Sequence, residues 1–361
     1  MRRKGLLKFS TFYSIIFIFL GMASTFLACK KDSASEKVAL SSTHHLLFLD
    51  SLAAAQAIVQ DQKEGFFEKI TLLDLALQIK NPAAQTLPRD SALRRYRAFL
   101  AEDVSRFSES EILYVQKAFR EIFELCNRLE PSIFPRQIQL IKTKARHYGA
   151  GVFYTRERCI VIPADALQTL DATSFKEVML HEVFHIFSRY QSAKRDSLYA
   201  LIGFQKLLQP LNIPAAVAEK RLLNPDGIDC NYAIRLQIHS DSILLAVPLI
   251  VSNADTYLPG REKYFEYIRF GLYPVVPAEG SYRVIARPDG YSPLNTNELP
   301  DFLRQIGDNT LYIIHPDEIL ADNFKWLVLA QSDQQLYQLT RFSKSGQTLL
   351  KNIQGILQSK E

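Results

Sequence analysis

The sequence predicts an α+β fold, and three observations support this prediction. From about residue 43 to 129, apolar residues recur at the three- and four-residue spacing of amphipathic helices. Runs of β-type residues begin at Arg136 and recur between residues 232 and 286. A stretch from Phe175 to Tyr190 contains no Pro or Gly and favours a long helix. We therefore expect a helical N-terminal region, residues 43–130, followed by a mixed domain, residues 131–361.

The first residues have the pattern of an export signal. A basic start at residues 2–4 precedes an apolar core from Phe12 to Leu20, and Ala28 and Cys29 follow. This pattern resembles a bacterial lipoprotein signal peptide over residues 1–28. The resemblance implies that Cys29 is lipidated and that the polar residues 29–42 form a tether.

Two other interpretations of this segment remain open. It is also compatible with an ordinary cleaved signal, or with a retained membrane anchor, because residues 9–28 are long enough for about one bilayer span. All three place the chain outside the cytoplasm. We expect a protein anchored by lipid to a bacterial membrane, the outer membrane in the first instance.

The charge and the cysteines exclude several classes of protein. The formal net charge is +5, and the first 28 residues contribute +4 of it, which leaves no basic patch for nucleic acid. Cys126, Cys159 and Cys230 show no CxxC spacing, so a cysteine metal site is not indicated. At most one disulfide can form among these three.

Local signals define several elements. Ser108 and Glu111 form a capping box for a helix that runs to about Leu129. Residues 152–155 and 159–162 read as a β-hairpin. Further strands are expected at residues 232–238, 243–251, 265–268 and 282–286, and further helices at 91–103, 316–330 and 348–358.

The motif with the clearest chemistry is His181-Glu182-x-x-His185 on the predicted helix from Phe175 to Tyr190. Histidines four residues apart lie on one helix face, where their ring nitrogens can bind one Zn²⁺ at about 2.0–2.1 Å. Glu182 can then act as the general base toward a metal-bound water. Ser174 and Glu177 predict the capping box of this helix. The competing interpretation is a core helix with two buried, hydrogen-bonded histidines.

A catalytic zinc usually has three protein ligands, so a third must come from elsewhere. Ser188 and Gln191 stand where a metzincin needs Gly and His, which excludes that family. In Asp317-Glu318-Ile319-Leu320-Ala321-Asp322, the acids at 318 and 322 lie one turn apart, just after a helix-starting Pro316. Asp226 and Glu219 remain alternative ligands, and Asp226 would make the chain resemble an aspzincin.

The 317–322 segment, together with the histidine motif, resembles the gluzincins, the thermolysin-like zinc peptidases. The resemblance implies that Glu318 is the third ligand of a single Zn²⁺ and that Asp322 accepts a hydrogen bond from a liganding histidine. It also implies a zincin-like domain over residues 131–361, with a small mixed sheet whose edge strand, residues 151–155, pairs with extended substrate. Because 133 residues separate His185 from Glu318, we expect a β-rich insertion at residues 191–310.

The sequence thus predicts an extracytoplasmic zinc metallopeptidase that hydrolyses peptides or proteins. Glu182 is the expected catalytic base, and His181, His185 and Glu318 are the expected metal ligands. On chemistry alone, Tyr154, Tyr264, Tyr267 and Tyr273 are candidate donors to the transition state. The alternative is a non-catalytic surface lipoprotein that binds zinc or has a structural role.

Overall fold

The computed structural model describes residues 34–239, 242–333 and 335–359. The predicted signal peptide, Cys29 and the first residues of the predicted tether lie outside these ranges. The described chain contains two six-stranded sheets together with helices, so the predicted α+β class is confirmed. None of the helices within the described ranges combines the length and the apolar character needed to cross a bilayer.

The N-terminal part begins with strands, which the sequence did not predict. The first strand lies inside the predicted tether, and the second lies inside the region predicted to be helical. The capping box of Ser108 and Glu111 is confirmed: each residue's backbone N–H is bonded by the other's side chain. The elements are β1 (Glu36–Ala39), β2 (His45–Phe48), α1 (Ser51–Ile58), α2 (Phe66–Lys69), α3 (Leu72–Gln78), α4 (Arg89–Asp103), β3 (Val104–Ser105) and α5 (Glu109–Leu129).

The first sheet unites this N-terminal part with the segment before the histidine motif. It adds β4 (Gln137–Thr143), β5 (Tyr154–Arg156) and β6 (Cys159–Pro163), in the spatial order β1-β2-β4-β6-β5 with β3 also on β4. The β2–β4 and β4–β6 pairs are parallel, and β5 pairs antiparallel with β6. The N-terminal segment is part of the sheet because β2 pairs with β4. Leu46 and Phe48 of β2 are buried in the common core. The predicted hairpin is present, and β5 is an edge strand.

The histidine motif lies on a long helix that follows this sheet. After α6 (Ala166–Thr169), helix α7 runs over Ala172–Tyr190 and α8 over Ser192–Leu201. The predicted capping box at Ser174 is wrong. The cap is Asp171, whose carboxylate accepts from the backbone N–H groups of Thr173 and Ser174. An aspartate one turn earlier supplies a stronger acceptor for the free N–H groups of the first turn.

The second sheet lies entirely between the histidine motif and Glu318, in the range where a β-rich insertion was predicted. The elements of this range are β7 (Phe204–Lys206), β8 (Leu211–Asn212), α9 (Ala215–Ala218), β9 (Tyr232–His239), β10 (Ser242–Ser252), β11 (Ile268–Ala278), β12 (Ser281–Val284) and α10 (Pro300–Ile306). The strand predicted at 265–268 is wrong, because Tyr264–Tyr267 is a 3₁₀ turn and the strand starts at Ile268. The spatial order of the strands is β7-β9-β10-β11-β12-β8, and the β12–β8 pair is parallel.

Two helices complete the described chain, α11 (Pro316–Leu329) and α12 (Lys344–Gln358). Helix α11 packs along α7, and the rings of Phe184 and Phe324 lie 5.5 Å apart between them. The apolar faces of both helices share one core with the first sheet. This packing brings the start of α11 against the middle of α7, where the histidines are.

Candidate metal site

Helix α7 holds the two histidines one turn apart. Their ring centroids are 4.7 Å from each other. Leu180, Val183 and Phe184 on the other faces are fully buried, which fixes the rotation of the helix. The side chain of His181 is 12% exposed and that of His185 is 1% exposed. The histidine face of α7 is therefore nearly buried, and only His181 has a small contact with solvent.

Glu318 meets both histidines through one oxygen. Its Oε2 lies 2.9 Å from His181 Nε2 and 3.5 Å from His185 Nε2. Tetrahedral zinc with bonds of about 2.0–2.2 Å holds its ligand atoms about 3.3 Å apart, and the observed distances lie on either side of that value. The donor set of two imidazoles and one carboxylate therefore fits zinc. All three residues would bind the same ion.

The alternative third ligands are less well placed. Glu219 is exposed and belongs to neither group of convergent ligand atoms among the described residues. Asp226 is buried and has an oxygen within 4.8 Å of ligand atoms of Glu182 and His185, but it does not join the group that contains His181. The geometry favours Glu318.

Two carboxylates hold the opposite ring nitrogens. Asp322 Oδ1 lies 3.0 Å from His181 Nδ1, and Asp317 Oδ2 lies 2.6 Å from His185 Nδ1. A carboxylate accepts a hydrogen bond from a protonated Nδ1, so Nε2 of each ring, which faces Glu318, is the nitrogen available to bind a metal. Asp322 thus occupies the place that the resemblance implied, whereas the sequence reasoning gave Asp317 no role.

A further set of residues orients these carboxylates. Tyr199 Oη donates to Asp317 Oδ1 over 2.8 Å, and Ser188 donates to the same oxygen. Lys325 Nζ donates to Asp322 Oδ1 over 2.7 Å. Asn224, on a turn of the inserted region, donates to Glu318 Oε1 over 2.7 Å. Local spacing could have suggested Ser188, which lies two helical turns after His181 on the same face of α7. Nothing in the sequence pointed to Asn224.

Glu182 lies beside the three ligands and is 4% exposed. Its Oε2 is buried and accepts no hydrogen bond from a described residue, and His185 Nε2, although 3.5 Å from Glu318 Oε2, forms no hydrogen bond with a described residue. Burial, reinforced by the Asp226 carboxylate, raises the pKa of Glu182 to about 8. Unpartnered buried polar atoms are costly unless a ligand completes them.

In the metal-free site, protons on the histidines neutralise the negative charge of the Glu318 carboxylate. Although burial acts against it, hydrogen bonds to Asp322 and Glu318 raise the pKa of His181 to about 9. Glu318 shows the converse: despite burial, the two histidines hold the pKa of its carboxylate well below its usual range. A bound cation would replace the protons that now neutralise Glu318.

A cleft of about 410 Å³ opens onto His181 and Glu182. Its lining includes segment 151–153, which leads into the edge strand β5, and Phe265 and Tyr312 from later in the chain. Phe265 is 45% exposed, and the ring of Tyr312 lies 6.0 Å from that of His181 and nearly parallel to it. The cleft therefore combines the ligand cluster, the segment that leads into the edge strand, and apolar side chains.

The tyrosines predicted as transition-state donors lie elsewhere. Tyr264 donates to Asp74, Tyr267 to backbone carbonyls of 258 and 261, and Tyr273 to the carbonyl of Gly290. Tyr154 is buried against His147, with Oη 3.1 Å from Nε2. Tyr312, which the sequence analysis passed over, is the tyrosine that lines the cleft in the described chain.

Comparison with known proteins gives no relative. No family model matches the chain, and neither the curated proteins nor the solved structures contain a match. The site is therefore defined by its own chemistry: two imidazoles and a carboxylate converge on one point beside a second, unpartnered carboxylate. The resemblance to the gluzincins stays a prediction.

Proposed function

We propose that this protein is a zinc-dependent peptidase. The observation that carries the proposal is the approach of Glu318 Oε2 to both histidine Nε2 atoms, at 2.9 and 3.5 Å. His181, His185 and Glu318 would hold the metal. When bound, zinc supplies a Lewis acid and lowers the pKa of a coordinated water toward neutrality.

Glu182 would move the protons of the reaction. Its Oε2 has no competing donor among the described residues and its carboxylate lines the cleft, so it is free to accept a proton from the attacking water. The same group would return that proton to the leaving amine. Burial raises the pKa of Glu182 to about 8 in the metal-free site, and a cation bound beside it would lower that pKa. Both the carboxylate and the acid form would then be accessible near neutral pH, as a group that must take and give a proton requires.

The edge strand supports a peptide as the substrate. Segment 151–153 lines the cleft beside the ligand cluster and continues into β5, which has a strand partner on one side only. An extended peptide can add to such an edge through backbone hydrogen bonds, with side chains contributing little selectivity. Phe265 and Tyr312 would contact its apolar side chains.

We also propose that the protein acts outside the cytoplasm on a lipid anchor. The support is the basic start, the apolar core and the cysteine at position 29. A Cys29→Ser variant should move the protein from the membrane fraction to the soluble fraction of the producing bacterium. A variant that stays in the membrane would instead favour a retained apolar anchor.

The test of the enzymatic proposal is Glu182→Gln. The variant should retain about one zinc per chain, because Glu182 is not a ligand, while peptide hydrolysis falls by at least about a hundredfold. Glu219→Gln, an exposed acid of the inserted region, is the matched control and should keep full activity. Zinc binding without hydrolysis by the unmodified protein would favour the non-catalytic alternative, and hydrolysis by Glu182→Gln would remove Glu182 from its role.

A further inference from the structure

An inserted turn closes one end of the strand edge. The turn at residues 224–227 carries Asp226, whose Oδ1 accepts from the Thr155 backbone N–H over 2.6 Å and from Thr155 Oγ1 over 2.5 Å. Asp226 is 7% exposed and lines the same cleft as His181 and Glu182. The outward backbone donor of the middle residue of β5 is thus occupied by a side chain of the protein itself.

The remaining free edge is short. Tyr154 is the first residue of β5 that pairs with β6, and the cleft-lining segment 151–153 precedes it. Phe153, just before the strand, is therefore the nearest position at which an extended substrate could pair. Phe153 lines the cleft, and beyond Thr155 the chain turns into β6. A substrate paired at Phe153 therefore meets Asp226 within about one residue. All three residues of β5 are buried, so an extended chain cannot continue past this point along the edge.

The closed end carries two acidic side chains, Asp226 and Glu182. Oxygens of Asp226 and Glu182 lie within 4.8 Å of each other, and Asp226 Oδ2 accepts no hydrogen bond from a described residue. Glu182 Oε2 is buried and also has no donor. The nearby Arg189 already donates to Glu64 Oε2 at 2.7 Å and to Thr155 Oγ1 at 2.9 Å, the hydroxyl that donates to Asp226. Two buried carboxylates with spare acceptor oxygens favour a cationic hydrogen-bond donor.

We infer that the site takes peptides with a free α-amino group and removes residues from their N-terminus, which rests on the proposed function. The α-ammonium group would donate to Asp226 at the closed end, placing the first peptide bond at the ligand cluster. In the reaction, water adds its hydroxyl to the acyl carbon and its proton to the departing amine as the C–N bond breaks. A C-terminal carboxylate at the same place would be repelled, so carboxypeptidase action is disfavoured.

The closing experiment compares a peptide with its N-acetylated form, both of one sequence, on the zinc-loaded full-length protein. Mass spectrometry should show stepwise loss of N-terminal residues from the free peptide and at least about tenfold slower cleavage of the acetylated one, because a site built for an ammonium rejects an analogue without it. Internal cleavage of both peptides at equal rates would overturn the inference and leave the peptidase proposal intact. Cleavage of neither peptide would remove the peptidase proposal and the inference with it.

Asp226→Asn tests the named residue. The variant keeps an oxygen for Thr155 but loses the charge, so the preference for the free over the acetylated peptide, as a ratio of kcat/KM, should shrink by about tenfold. Glu219→Gln, an acid of the same inserted region, should keep that preference. If Asp226→Asn does not fold, calorimetric binding of both peptides to zinc-loaded Glu182→Gln replaces it, and equal affinities would overturn the inference. Two zinc ions per chain, one of them lost in Asp226→Asn, would also overturn it.

Discussion

At the scale of single residues, the candidate site depends on what holds the rings as much as on the ligands. Each histidine is fixed through Nδ1, by Asp322 or by Asp317, and each of these acids is fixed in turn by further donors. Such outer contacts set which ring nitrogen carries the proton. They also raise the basicity of the ligand nitrogen.

Asp317→Asn should weaken zinc binding by about 10- to 100-fold. The neutral amide accepts a weaker hydrogen bond from His185 Nδ1–H than the carboxylate does, so Nε2 becomes a less basic ligand. The dissociation constant for zinc, measured by competition with a chelating dye, checks this. Asp255→Asn is the control, since Asp255 is 82% exposed and pairs with Lys220. Equal zinc affinity in the two variants would show that Asp317 does not support the site.

Tyr312→Phe should lower kcat by about 100-fold, with unchanged zinc content, because removal of one donor to a developing oxyanion has an effect of that size. The prediction follows from the position of Tyr312 in the cleft, with its ring beside His181. Tyr273→Phe is the control, since the Tyr273 hydroxyl donates to the Gly290 carbonyl instead. An increase in KM with unchanged kcat would instead assign Tyr312 to substrate binding.

At the scale of elements, helix α7 carries the motif, and its stability depends on a cap that the sequence pattern placed wrongly. Asp171 satisfies two N–H groups of the first turn, while Ser174 lies inside the helix and donates its hydroxyl to Asp171. Ser-x-x-Glu and Asp-x-x-Ser compete in this stretch as start signals. The apolar contact of Phe175, fully buried, favours the earlier start.

Asp171→Ala should lower the free energy of unfolding by about 1 kcal/mol, the usual effect of losing an N-cap acceptor. Asp165→Ala is the matched control: Asp165 stands at the start of α6 but accepts no capping hydrogen bond. Chemical denaturation of both variants decides the matter. A larger loss in Asp165→Ala would contradict the assigned cap.

At the scale of the whole molecule, a buried Asp103–His147–Tyr154 chain joins α4 to the first sheet, with Asp103 Oδ2 2.6 Å from His147 Nδ1. Burial lowers the pKa of His147, against the effect of Asp103. The folded protein therefore favours the neutral form of His147. Its contribution to stability is present above the unfolded pKa of 6.5 and is lost as the pH falls below it.

We expect protonation of His147 to lower the free energy of unfolding by up to about 1.4 kcal/mol for each pH unit below 6.5. In metal-free protein, His181, with a pKa of about 9, acts in the opposite direction, because its contribution is lost as the pH rises. The measurement is therefore the difference in pH slope between the unmodified protein and His147→Gln, from denaturation between pH 7.5 and 5.5. The slope should be shallower in the variant, and an unchanged slope would show that His147 does not titrate as proposed.

Local patterns determined much of this protein. The α+β class, the capping box at Ser108 and the helical face shared by His181 and His185 all depend on spacings of a few residues. Glu318 was reachable because an acid one turn from another, just after a helix-starting proline, is also a local signal. The same reasoning failed for β1 and β2, because short strands are stabilised by partners such as β4, distant in the chain.

Only the tertiary structure decided which residues meet at the site. Asn224 and Asp226 come from an inserted turn whose sequence indicates nothing more than a turn, yet they contact Glu318 and Thr155. Asp317 faces His185 only because α11 packs along α7 at one particular offset. The physical reason is that local periodicity sets which face a side chain occupies, whereas contacts across more than a hundred residues depend on how whole elements pack.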